Sequence, residues 1–165
     1  MLAFTFPGQG SQRPGMGKPW VDHESWELVT EASEIAGRDV GDLLLNADAE
    51  TLKDTRNAQL TTFVSSLMVL DAVERLGFEP SLCAGHSLGE FSALVANGAL
   101  TFEDGLTLVS KRAQAMQKAC ELNPSTMAAV LNLADEKVEE ICASIQAEIG
   151  EVVVAANYNC PGQLV

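Results

Sequence analysis

Ser87 stands in Gly85-His86-Ser87-Leu88-Gly89, a Gly-x-Ser-x-Gly pentapeptide. A serine flanked in this way does covalent chemistry when a strand runs into it and a helix runs out. The sharp turn exposes the hydroxyl, and the two glycines let the helix pack close to the strand. Both flanks are predicted here. Residues 81–86 are few, small and apolar, as in a buried strand, and 88–96 carry a helical pattern closed by Asn97-Gly98. Ser87 then lies at a helix N-terminus, where backbone N–H groups lack acceptors, and the N–H of Leu88 is the natural first donor to an oxyanion. The plain alternative is a serine in a glycine turn with no chemistry.

A serine hydroxyl is a weak nucleophile until a base takes its proton. The chain offers two histidines. His86 adjoins Ser87, and side chains next to the serine in such a turn project away from it, so His86 reads as a structural hydrogen-bonder. His23 opens an early helix and reads as solvent-exposed. The base is therefore expected outside these residues, and the chain, which stops at Val165 within an apparent new strand, is expected to be incomplete.

Arg112 is the second residue able to do chemistry. Leu108, Arg112, Ala115 and Ala119 fall on one row of a helix, which places the guanidinium among small and apolar neighbours. A partly buried guanidinium needs an anion. A substrate carboxylate and a salt bridge to one of the 23 acidic residues are equally open at this point.

These residues need elements to hold them. A first strand at about Leu2 to Phe6 leads into the glycine-rich stretch Pro7-Gly8-Gln9-Gly10-Ser11-Gln12, which composition alone leaves open as a flexible loop or something more. Helices are expected from His23 to Ala36 with Asp22 as cap, from Asn57 to Leu76, and from a capping box at Thr101-Phe102-Glu103-Asp104 to about Glu121. Beyond Asn123-Pro124-Ser125 the pattern changes to a strand (Met127 to Leu133), a helix with Val138, Ile141, Cys142, Ile145 and Ile149 on one face, and an apolar strand from Val152 to Ala156. The fold class is α/β: a mostly parallel sheet flanked by helices over residues 1–124, and the start of a small ferredoxin-like subdomain over 125–165.

Composition narrows the class of function. With 47% hydrophobic and 20% charged residues, the 165-residue chain has ordinary globular composition. No apolar run reaches the roughly 20 residues of a membrane helix, and the N-terminus carries no basic leader. Cys83, Cys120, Cys142 and Cys160 form no C-x-x-C pair, so neither a metal site nor a disulfide is expected, and the cytoplasm is the natural address. A net charge of −13 argues against nucleic acid as a partner.

Four motifs in order carry a resemblance over the whole chain. They are Pro7-Gly8-Gln9-Gly10-Ser11-Gln12, Gly85-His86-Ser87-Leu88-Gly89-Glu90, Arg112 with Met116, and Asn157-Tyr158-Asn159-Cys160-Pro161-Gly162-Gln163. Together they resemble the malonyl-CoA:acyl carrier protein transacylases and the acyltransferase domains of fatty acid and polyketide synthases. The resemblance implies that Ser87 takes an acyl group from a coenzyme A thioester and passes it to the phosphopantetheine thiol of an acyl carrier protein, with no resident cofactor. It implies backbone N–H groups of Gln9 and Leu88 as the oxyanion hole, and Arg112 as the partner of a malonyl carboxylate. The family's usual glycine after this arginine is Ala113 here, and its catalytic histidine lies beyond Val165. A serine hydrolase or thioesterase shares the pentapeptide, and an inactive acyl-CoA-binding fragment would keep the pocket without the base.

Overall fold

β1 (Ala3–Phe6) and β2 (Leu82–Gly85) pair in parallel, Ala3 opposite Leu82 through to Phe6 opposite Gly85. Parallel neighbours require a long crossover. Here it carries three helices: α1 (Glu27–Ala36), α2 (Val40–Leu45) and α3 (Thr55–Arg75). After β2 come α4 (Gly89–Ala96) and α5 (Phe102–Leu122). The computed structural model describes residues 1–165 and falls into two compact units, Met1–Leu122 and Asn123–Val165.

In the first unit α3 is the central element. Its N-terminal two-thirds bury side chains on nearly every face, including Phe63, Val64 and Met68, none of which is exposed at all. Leu44 from α2 and Leu106 and Val109 from α5 belong to the same core, and the Phe63 ring stacks on Phe102 at 6.1 Å. α1 starts later than its pattern predicts. A 3₁₀ turn at Glu24–Trp26 precedes it, and the cap is His23, whose Nδ1 accepts from the N–H of Ser25, rather than Asp22. Ser25 is fully buried and donates from Oγ to Asp71 at 2.6 Å, which ties this turn to α3. α2 is an element that the sequence did not announce. Six residues are too few to show a period, yet Val40 and Leu44 are wholly buried one turn apart, and Asp39 caps the helix through the N–H of Asp42.

Asp54 caps α3: its carboxylate accepts from the N–H of Arg56 and pairs with that residue's guanidinium at 2.8 Å. The side-chain hydrogen bond from Arg56 holds this carboxyl below the ordinary aspartate range, burial opposing it. Asp54→Ala is expected to cost about 1 kcal/mol in urea unfolding at neutral pH. A depressed carboxylate contributes stability above its unfolded-state pKa, near 4, and loses it as pH falls through the lower folded value. The gap between wild type and variant must therefore close below about pH 4. A gap that stays constant down to acid pH refutes the assignment.

The second unit holds β3 (Val130–Leu131), α6 (Asp135–Ile149), β4 (Tyr158–Cys160) and β5 (Gln163–Leu164). Its sheet has the order β3-β5-β4, and both pairings are antiparallel. Leu164 and Val138 are its buried apolar residues. Two expected strands change. The first shrinks from Met127–Leu133 to Val130–Leu131. Residues 152–156 are not a strand: Val152 is 83% exposed, and pairing begins only where Ala156 and Asn157 meet Val165. Alternating or apolar sequence is not enough where no neighbouring strand offers its edge. The expected helix face is likewise buried only at Val138, with Ile141, Ile145 and Ile149 exposed. No helix of either unit is long and apolar enough to cross a membrane.

Candidate active site

In the turn between β2 and α4 the backbones approach so closely that no side chain would fit between them. A Cβ built on Gly85 would lie 2.0 Å from the carbonyl carbon and oxygen of Gly89, and one on Gly89 would lie 2.2 Å from the Phe6 carbonyl oxygen. The two glycines thus let the start of α4 sit directly on β2 and on the end of β1. Between them Ser87 takes φ +51°, a left-handed conformation that costs a residue with a Cβ of the order of 1 kcal/mol or more. The strain puts the serine at the apex of the turn, exposed, with the buried Leu88 flanking the first turn of α4. The expected strand is present, but it is half-exposed rather than buried, because β1 is its single neighbour in the sheet.

Arg112 reaches the serine from α5. Its Nη2 donates to Ser87 Oγ at 2.9 Å, and its Nη1 donates to Oε1 of Gln59 at 2.6 Å. The guanidinium carbon stands 5.8 Å from the centre of the Phe91 ring, a modest cation–π contact. No carboxylate lies within salt-bridge distance of it, whereas Arg75 alone holds Asp71, Glu24 and Glu27. The internal salt bridge left open by the sequence is thus not made.

Gln59 was not visible in the sequence as part of this cluster. It sits on α3, is completely buried, and donates from Nε2 to Sδ of Met116 at 3.1 Å and to Oε1 of Gln9 at 3.4 Å. One buried amide therefore connects the loop after β1, the arginine of α5 and the serine turn. The available signal was a glutamine inside an apolar helical stripe, where a polar side chain needs a partner. Only the folded chain says which.

The histidines play other parts. The backbone N–H of His86 donates to the Phe6 carbonyl at 3.0 Å, and its ring lies against Gly8, so the residue braces the loop bearing Gln9 beside the serine turn. His23 is exposed, caps its 3₁₀ turn and meets the edge of Trp20. A cavity of about 350 Å³ between β1 and α3 is lined by Phe4, Phe6, Met16, Thr62 and Val69. With neither Ser87 nor a cation on its walls, it does not offer a carboxylate the charge that Arg112 does.

The α/β body thus presents a strained serine at a helix start, with an arginine that no carboxylate of the chain neutralises on its hydroxyl. The chain belongs to the acyl transferase domain family, whose family model matches residues 3–165. Within it, this chain is 42% identical over 166 residues to the malonyl CoA-acyl carrier protein transacylase of Bacillus subtilis, covering 99% of this chain and 52% of that protein. An acyl-carrier-protein S-malonyltransferase from Burkholderia pseudomallei superposes with a TM-score of 0.87 at 42% identity, over 99% of this chain and 53% of that one. A malonyl-transacylase solved in complex with its type II polyketide acyl carrier protein gives 0.85 at 32% identity, with the same coverage. The chain spans about half the length of the curated relatives it matches.

Proposed function

We propose that this chain carries the nucleophile and the carboxylate clamp of a malonyl transferase that works between coenzyme A and an acyl carrier protein. The observation that carries the reading is the 2.9 Å contact between Ser87 Oγ and a guanidinium that no carboxylate of the chain neutralises. The turn is read as a nucleophile elbow. Ser87 Oγ attacks the thioester carbonyl, and the oxyanion is held by the N–H groups of Leu88 and Gln9. The C–S bond then breaks, and the serine proton goes by way of a general base to the coenzyme A thiolate. Arg112 is not that base, because a guanidinium keeps its proton at any working pH. It pairs with the free carboxylate of the malonyl group. In the second half-reaction the phosphopantetheine thiol of the carrier attacks the ester, which gives ping-pong kinetics.

The thioester is already an activated acyl donor, so the reaction as proposed asks for no resident cofactor or metal. The reading places the protein in the cytoplasm, in fatty acid or polyketide assembly. It also treats residues 1–124 and 125–165 as a larger acyltransferase subdomain and part of a ferredoxin-like one. The antiparallel order β3-β5-β4 after a strand–helix crossover is what the first half of a ferredoxin-like sheet would have.

Intact-mass measurement after brief exposure to malonyl-CoA tests the reading. The expected result, in the protein with its general base present, is one malonyl adduct, absent in Ser87→Ala and discharged by holo carrier protein. An adduct that survives Ser87→Ala sinks the assignment of the nucleophile. An adduct discharged as fast by water as by carrier makes the protein a thioesterase instead.

A further inference from the structure

We infer that Gln59 is a positioning residue whose neutrality keeps this site selective for acyl groups that bear a carboxylate; the inference rests on the reading of Arg112 given above. A guanidinium has donors only, so the oxygen of the Gln59 amide must face Arg112, and its NH₂ must face Met116 and Gln9. The amide is thus oriented by its partners, and complete burial removes water as a substitute.

This arrangement fixes the guanidinium without cancelling its charge. Nη1 is anchored at 2.6 Å on a neutral oxygen, and Nη2 is left directed at the serine. A glutamate at position 59 would fit nearly the same volume but would supply the missing anion from within the chain. A buried, hydrogen-bonded ion pair would then compete with any incoming carboxylate. The choice of amide over acid is therefore what reserves the positive charge for a ligand. The same side chain also reaches Gln9, so the loop after β1 and the arginine are set by one residue.

Equilibrium binding of malonyl-CoA and of acetyl-CoA separates this role from a merely structural one. Wild-type protein is expected to prefer malonyl-CoA. Gln59→Glu should cut the malonyl-to-acetyl affinity ratio by about tenfold or more, with acetyl-CoA affinity within about twofold of wild type, as loss of one charge-assisted contact predicts. Gln59→Leu, which removes the anchor without supplying an anion, should lower the ratio less than Gln59→Glu. If Gln59→Glu folds poorly, Gln59→Leu carries the test: a lowered ratio supports the inference and an unchanged one overturns it. An unchanged ratio in Gln59→Glu, an equal loss for both ligands, or a wild type without preference also overturns it. The acyl-enzyme is read separately by mass. A malonyl preference that responds to Gln59 without any Ser87 adduct upholds this inference and sinks the covalent step.

Discussion

Gly85→Ala and Gly89→Ala are each expected to lower stability by about 4 kcal/mol or more, or to leave the protein insoluble. At Gly85 the added methyl would sit 2.0 Å from backbone atoms of Gly89, and at Gly89 it would sit 2.2 Å from the Phe6 carbonyl. Backbone has no rotamer to move aside, so α4 must lift off the strands. Lifting it uncovers Leu88, which is buried in the core with Phe6 and Phe63. Gly98→Ala is the control. It too has a left-handed φ, +77°, but nothing lies within 4 Å of the new methyl. That variant should lose only about 1 kcal/mol, the conformational penalty alone. Urea unfolding of the three variants decides the matter. If Gly85→Ala is no worse than Gly98→Ala, the close approach of α4 to the strands is not what the glycines are for.

On the proposed reading of Arg112 as the carboxylate clamp, Arg112→Ala is expected to reduce malonyl transfer to Ser87 by about a hundredfold, since the charge-assisted hydrogen bonds to the carboxylate would be lost. Acetyl transfer should fall much less, because an acetyl group offers no carboxylate to bind. Arg112→Lys should recover only part of the loss, since an ammonium keeps the charge but not the fork. The substitution by alanine also strips the buried oxygen of Gln59 of its partner, with a stability cost of about 1–3 kcal/mol, so thermal unfolding should be measured alongside. Rates with both thioesters give the discriminating ratio. A ratio indifferent to Arg112→Ala would mean that the guanidinium serves the serine hydroxyl alone.

Much of this site could be read before folding, because its parts are local. Gly85, Ser87 and Gly89 occupy one turn; Gly85 is required by a clash with Gly89 within that turn, while Gly89 is required by β1, through the Phe6 carbonyl. Arg112 was singled out by its helical row, which a periodic pattern shows well. α3 and α5 appeared for the same reason, each long enough for several turns of apolar repeats. What failed was short or dependent on a partner. α2 has two buried residues and no visible period. Residues 152–156 have strand-like composition, but strand formation depends on an available edge, and the sheet of the second unit begins a few residues later. His23 took over as cap from Asp22 because Ser25 is drawn into the core by Asp71.

The sequence by itself singled out Ser87, the glycine-flanked turn that carries it, the N–H of Leu88 at the helix start and Arg112 on its helical row, since each depends on residue type and spacing along the chain. Only the tertiary structure decided what the cation pairs with. Ser87 and Arg112 are 25 residues apart and Gln59 is 53 residues from Arg112, yet their polar atoms meet within 3 Å. Hydrogen bonds over such separations are set by how α3 and α5 pack on the strand pair, and that packing is fixed by the whole core at once. A buried amide announces that it needs a partner; the fold alone supplies one.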